Sequence, residues 1–247
     1  MLPVSPMRND KLGLVIPTLN EKANIGILLE RLRAELDRMP VDYELIVADD
    51  DSQDGTPLVV QKYAQADSRI KLATRKGERG LAGAVLFGWN CTDADLLGVI
   101  DADLQHPPEL LPKLVQALLQ GKDMAVASRY IAGDGTEGWS LARRWLSRAG
   151  TWVTLPLQRR EIRVRDPLSG FFVLRRECIK GVALQPQGFK LLLEILVRGK
   201  IRSIVEVPYQ FGLRHSGTSK ASLRVGLEYV QLLGRLSRHA LSRAASS

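Results

Sequence analysis

Short apolar runs and helically spaced apolar residues take turns along the first half of this chain, and most of the short runs end abruptly in polar or acidic residues. Leu12 to Ile16, Glu44 to Ala48, Ile70 to Ala73, Leu96 to Ile100 and Met124 to Ala127 have the length and composition of buried strands. Between the first two, Ile25, Leu28, Leu29, Leu32 and Leu36 recur at helical spacing, and Leu81 to Trp89 and Leu110 to Leu119 read as two further helices. Alternation of this kind predicts an α/β fold, a mostly parallel sheet with helices on both faces. The 247 residues suffice for one large domain of this type with a substantial core.

Ligands of such sheets sit outside the carboxyl ends of the strands, so function should gather just after the apolar runs. Pro17-Thr18-Leu19-Asn20-Glu21 follows the first run, Asp49-Asp50-Asp51-Ser52-Gln53-Asp54-Gly55-Thr56 the second, and Asp101-Ala102-Asp103-Leu104-Gln105 the fourth. Residues i and i+2 of an extended chain point to one side, so Asp101 and Asp103 can converge on a hard divalent cation with the Gln105 amide oxygen nearby, and such a cation can hold a diphosphate. The plainer alternative is that these aspartates and His106-Pro107-Pro108 only end a strand with turn residues. Asn20 and Glu21 likewise admit a structural role, capping the helix that contains Ile25.

The balance of 35 Lys and Arg against 27 Asp and Glu gives a net charge of +8 and implies an anionic partner. From 133 to 165 the alternation breaks: Trp139, Leu141, Trp145, Leu146, Trp152, Val153, Leu155 and Leu157 are interleaved with Arg143, Arg144, Arg148, Arg159, Arg160, Arg163 and Arg165. That pattern fits an interfacial amphipathic segment, or a packed helix with a solvated basic face. The tail repeats the theme with Leu223, Leu227, Val230, Leu233 and Leu236 as one stripe, able to dock on the domain, lie among headgroups or bind an anchoring subunit. No apolar run approaches the ~18 to 20 residues that span a bilayer. Met1 to Lys11, with three charged residues and two prolines, does not read as a signal peptide. The two cysteines, Cys91 and Cys178, lack metal or disulfide-framework spacing, which points to a reducing compartment.

Read together, the motifs resemble the dolichol-phosphate mannose synthase group of inverting family 2 glycosyltransferases, over residues 12 to 222. The resemblance rests on Pro17-Thr18-x-Asn20-Glu21, Asp49-Asp50-x-Ser52-x-Asp54-Gly55-Thr56 and Asp101 to Glu109. It continues through Ser128-Arg129-Tyr130, Glu137-Gly138-Trp139, Ser147-Arg148, Asp166-Pro167-x-Ser169-Gly170-Phe171, Gly188-Phe189-Lys190 with Glu194, and Arg214-x-x-Gly217-x-Ser219-Lys220. Ala127 departs from the usual Gly, and Ala82-Gly83 from the usual Gly with Ser or Thr.

The resemblance implies a GT-A type, Rossmann-like nucleotide-sugar-binding fold over 1–222 with 223–247 as a C-terminal amphipathic helix and tail. It implies transfer of mannose from GDP-mannose to a polyprenyl (dolichyl) phosphate, with Mg²⁺ or Mn²⁺. Catalytic roles fall on Asp101, Asp103 and Arg129, and metal ligation on Asp103 and Gln105, with Asp101 at the nucleotide or a metal-bound water. Donor binding falls on Pro17, Leu19, Glu21, Val47, Asp49, Asp50, Asp101, Ala102, Asp103 and Lys220. Arg129, Arg143, Ser147 and Arg214 would clamp the acceptor phosphate, which needs no general base because a phosphate monoester is largely ionised at neutral pH. The implied setting is cytoplasmic, peripheral on a membrane surface and served by a separate anchoring subunit. A related lipid-phosphate glucosyltransferase using UDP-glucose shares much of the Asp101 block and is the alternative. A basic nucleic-acid-binding module would account for the charge but leaves three acidic clusters unexplained, since carboxylates repel a polyanion.

Overall fold

The computed structural model describes residues 10–131, 150–185, 190–210 and 229–238. Its strands are β1 (Lys11–Thr18), β2 (Asp42–Asp49), β3 (Ile70–Thr74), β4 (Leu96–Val99), β5 (Met124–Ser128), β6 (Phe172–Arg175) and β7 (Ile204–Pro208). They form one seven-stranded sheet in the order β3-β2-β1-β4-β6-β5-β7. Helices α1 (Lys22–Leu36), α2 (Thr56–Ala66), α3 (Leu81–Asn90), α4 (Leu111–Leu119) and α5 (Leu191–Arg198) accompany it, with further helical residues at 150–154 and 229–238.

Strands β1 to β4 pair parallel with one another, as the alternating pattern predicts, and all five expected strand runs fall on strands. The side-chain period of two sorts each strand between two cores. Leu12, Leu14 and Ile16 pack on one face with α1 and α4, while Val15 joins Trp89 and α3 on the other. Burying each such side chain stabilises the fold by ~1.5–3 kcal/mol. One strand is not parallel: β6 runs antiparallel to both β4 and β5, between which it lies. Phe172-Val173-Leu174 is buried on both faces, as that central position requires.

Helix α5 is apolar almost all round, Leu191 to Val197 being buried throughout, so it must be covered on more than one side. One cover is the C-terminal helical segment: Leu193 and Val197 cluster with Leu232 and Leu236, flanked by Tyr229 and Leu233. This corrects the expected tail stripe, since Val230 stands 65% exposed and Leu232 takes the inward place. Leu223 and Leu227 lie outside the described residues, as do Trp139, Arg143, Arg144, Trp145 and Arg148 of the tryptophan and arginine segment. Arg159 of that segment is not a solvated charge: its Nη2 donates to the carbonyls of Gly199 and Ile201 at 3.1 and 2.8 Å.

Candidate active site

The loops after β1 and β2 interlock through side chains of one and main chain of the other. The main-chain N–H groups of Asn20, Glu21 and Lys22 donate to Ser52 Oγ, Thr56 Oγ1 and Asp54 Oδ2 at 2.8 to 2.9 Å. The reverse bond runs from Gln53 N–H to Asn20 Oδ1 at 3.0 Å. The N–H groups of the cap residue Glu21 and of the first helical residue Lys22 are thereby satisfied from the neighbouring loop, as helix N-terminal N–H groups require. Capping by the side chains of Asn20 or Glu21 is not what the structure shows; Glu21 occupies the cap position but its carboxylate accepts from Asn24 Nδ2 at 2.8 Å. Among the described residues, the non-glycine positions with positive φ are Asn20, Asp51 and Leu104, one in each loop after β1, β2 and β4. Such backbone is unfavourable for ordinary side chains and clusters where a surrounding site holds it.

Asp49 is fully buried and holds this junction together. Its carboxylate accepts from Thr18 Oγ1 at 2.8 Å, Ser52 N–H at 2.8 Å and Ser52 Oγ at 2.6 Å. Asp50, also buried, takes Arg75 Nε and Gly80 N–H, each at 2.8 Å. Gly83 leaves room for the Arg75 guanidinium, since a Cβ there would lie 2.6 Å from Arg75 Nη1. Both carboxylates, expected at the nucleoside, are bonded here to groups of the protein. The side chains of Val47 and Ala102, also expected at the donor, pack in the core cluster between the sheet, α1 and α4. Pro17, Leu19 and Glu21 are half-buried on the rim, where donor contact was expected.

Beyond β4 the chain continues to the Asp101 cluster. Asp101 keeps 30% of its side chain exposed, its Oδ2 lies 3.4 Å from His106 Nε2, and its Oδ1 is buried with no partner among the described residues. Leu104, with φ of 61°, folds the chain back so that Gln105 N–H donates to Asp103 Oδ1 at 3.2 Å. Among the described residues no three Asp, Glu, His or Cys side chains cluster closely enough to hold a metal alone. The orphaned Asp101 oxygen with the half-buried Asp103 and Gln105 suits a hard cation whose remaining ligands come from a phosphate or water.

Across the rim, after β5, Arg129 is committed to Asp166. Nε and Nη2 donate to the two carboxylate oxygens at 2.7 Å each, and the Arg129 main-chain N–H adds a third bond at 3.1 Å. The Nε and Nη2 edge of the Arg129 guanidinium, expected at a phosphate, is occupied here by Asp166. The pair is buried, with side-chain exposures of 11% and 0%. Burial works against the guanidinium charge, yet Asp166 outweighs it and raises the Arg129 pKa. Lys190 is shifted downward, first by burial and then by Arg129, while Asp101 and Asp166 pull the other way. Arg143, Ser147, Arg214 and Lys220 lie outside the described residues. Arg75, His106, Asp166, Lys190 and Tyr209 carry the site's architecture without having been assigned a role from sequence.

Residues 14–182 match the family Glycosyl transferase family 2. A dolichol-phosphate mannosyltransferase of Pyrococcus furiosus is 41% identical over 231 residues, covering 92% of this chain and 63% of the relative's length. The dolichol-phosphate mannosyltransferase of Saccharomyces cerevisiae is 36% identical over 234 residues, 91% of this chain and 86% of the relative. Among solved structures, glucosyl-3-phosphoglycerate synthase from Mycobacterium tuberculosis, in complex with Mn²⁺, UDP and glucosyl-3-phosphoglycerate, aligns with a TM-score of 0.62 at 25% identity over 94% of this chain and 80% of that one. The chain belongs to glycosyl transferase family 2, a glycosyltransferase on a GT-A type sheet. Within that family its similarity runs to the dolichol-phosphate mannosyltransferases, as the motifs implied.

Proposed function

We propose that this glycosyltransferase moves mannose from GDP-mannose, with inversion, to a polyprenyl phosphate such as dolichyl phosphate, working peripherally on the cytoplasmic face of a membrane. What carries the reading is the partly exposed Asp101 with its orphaned oxygen, set at the rim of a chain 36–41% identical to dolichol-phosphate mannosyltransferases. Pro17, Leu19 and Glu21 would bound the nucleoside. Their loop is already fixed by its bonds to Ser52, Asp54 and Thr56, so little ordering accompanies donor binding. Asp103 and Gln105 would hold Mg²⁺ or Mn²⁺, with Asp101 facing the nucleotide; such an ion, when bound, supplies positive charge against the departing diphosphate. The acceptor phosphate arrives largely ionised and needs no proton removed before it attacks the sugar carbon. Arg143, Ser147 and Arg214 would hold that phosphate and Lys220 would close over the donor. Arg129 supports the acceptor side through Asp166. No helix among the described residues is long and apolar enough to cross a membrane, so the lipid would be met at the surface or beside a separate anchoring subunit.

A second reading replaces the donor by UDP-glucose, and the Mycobacterium tuberculosis neighbour that holds UDP favours it. Thermal stabilisation by GDP-mannose and by UDP-glucose, each with Mn²⁺, separates the two, since a bound ligand raises apparent stability by mass action. GDP-mannose should stabilise the protein at lower concentration and support labelled-mannose transfer to polyprenyl phosphate. Stabilisation and transfer by UDP-glucose alone would reverse the assignment.

A further inference from the structure

We propose that His106 is a positioning residue that sets the Asp101 carboxylate in its donor-facing orientation, a role that rests on the reading of Asp101 given above. His106 is only 3% exposed and follows the β4 rim by a few residues. Its ring packs edge-on against Phe171, centroids 5.7 Å apart, and tilted against Tyr209 at 5.4 Å. Phe171 leads into β6 and Tyr209 leaves β7, so the imidazole is wedged between the ends of two other strands. Two packed faces leave the ring little freedom, and its Nε2 edge is brought to 3.4 Å from Asp101 Oδ2.

The space around that carboxylate is also shaped by a missing side chain. A Cβ at Gly170 would come within 2.3 Å of Asp101 Oδ2 and 2.8 Å of its Cγ. Oδ2 thus lies near both the imidazole edge and Gly170, while Oδ1 is the buried oxygen with no partner among the described residues. A group held this way is already oriented when a cation and diphosphate arrive, and partners that orient a metal-site carboxylate typically govern ~10–100-fold in metal affinity.

The test separates the nitrogen from the ring. His106→Gln and His106→Met are alike in size and both lose the aromatic packing, but only glutamine can donate to Asp101. The readout is the Mn²⁺ concentration that half-saturates thermal stabilisation at fixed GDP. The Gln variant should stay within ~3-fold of wild type and the Met variant should need at least ~10-fold more Mn²⁺. Equal behaviour of the two variants overturns the proposal and leaves His106 as packing. Gly170→Ala is the second arm, independent of the core: it should raise the Mn²⁺ requirement by a similar factor, and an unchanged requirement overturns the proposal even where neither His106 variant folds. Wild-type protein with no Mn²⁺-dependent response to GDP overturns the donor assignment itself, and this role with it. A response in wild type that the Gln and Met variants share sinks only the role of His106.

Discussion

On the side of the rim proposed for the donor, buried Asp49 is shared among hydroxyl and main-chain N–H donors of the interlocked loops, with Asp50 held by Arg75 beside it; on the side proposed for the acceptor, Asp166 faces one guanidinium. Asp49 takes three bonds from Thr18 and Ser52, none from a charged group. Asp166 takes three from Arg129, two of them from the guanidinium. The difference teaches where each half is vulnerable. Hydroxyl donors can rotate to other acceptors when a carboxylate is lost, whereas an arginine buried without its partner keeps its whole desolvation penalty.

The largest expected effect follows directly. Asp166→Ala should cost ~3–5 kcal/mol by urea unfolding, because it leaves Arg129 as a buried charge without its carboxylate, while Asp49→Ala should cost only ~1–3 kcal/mol. Adding Arg129→Met to Asp166→Ala should recover part of the loss by removing the stranded charge. Equal costs at Asp49 and Asp166 would break the comparison.

Next in size is a kinetic effect with little structural cost. Asp103 is half-buried, and its Oδ1 accepts a bond from Gln105 N–H at 3.2 Å. Asp103→Asn should lower transfer by ~100-fold, the scale of losing one electrostatic partner of the transition state, with Tm nearly unchanged. Activity within a few-fold of wild type would remove Asp103 from the metal site.

Acid should weaken the donor half first. Glu44, at the far end of β2, is raised by burial but pulled down further by Lys11, Lys71 and Thr92, to about 2. A pKa below the unfolded value stabilises above that value, here 4.5, and the contribution fades as pH falls from about 4.5 toward about 2. Its size is on the order of 1–2 kcal/mol, given the partial exposure of its lysine partners. Asp54, lowered despite its burial by Thr56 and by main-chain N–H groups, loses stability in the same direction. Glu44→Gln should flatten the Tm profile across that interval; a profile parallel to wild type would show that the charge cluster contributes nothing.

The parallel half of the fold was legible because period and punctuation are local. Each strand run and the polar cluster after it sit within a dozen residues, and those clusters do converge on one rim. Strand β6 was not read, because the short apolar run Phe171 to Leu174 after Ser169-Gly170 carries no sign of its direction. Nor could sequence give the partners of the site's charges. Arg129 and Asp166 are 37 residues apart, Asp50 and Arg75 are 25 apart, and both pairings are created by the sheet order. Motifs marked Asp49, Asp50 and Arg129 as important; only the coordinates show that they face the protein.

The smallest effect concerns the lipid surface. Trp152 and Val153 are 62% and 56% exposed, and the hydrogen bond from Tyr229 Oη to the Gly150 carbonyl, 2.6 Å, brings the C-terminal helical segment with its exposed Val230 to the same helical stretch. Arg160, Arg163 and Arg165, also exposed, follow shortly in the chain. Apolar insertion of two side chains plus roughly 1 kcal/mol per basic residue near an anionic surface gives reversible attachment. The protein should co-sediment with anionic vesicles at low salt and release as ionic strength rises. Replacing Trp152 and Val153 by Ser removes apolar area but no charge, so vesicle binding should fall ~5–10-fold, with turnover of long polyprenyl phosphates falling in step. A short water-soluble polyprenyl phosphate should be turned over as before, since neither side chain is buried in the rim. If both acceptors lose equally, the exposed pair supports the acceptor site itself, and the contrast between a self-contained donor side and a surface-dependent acceptor side fails.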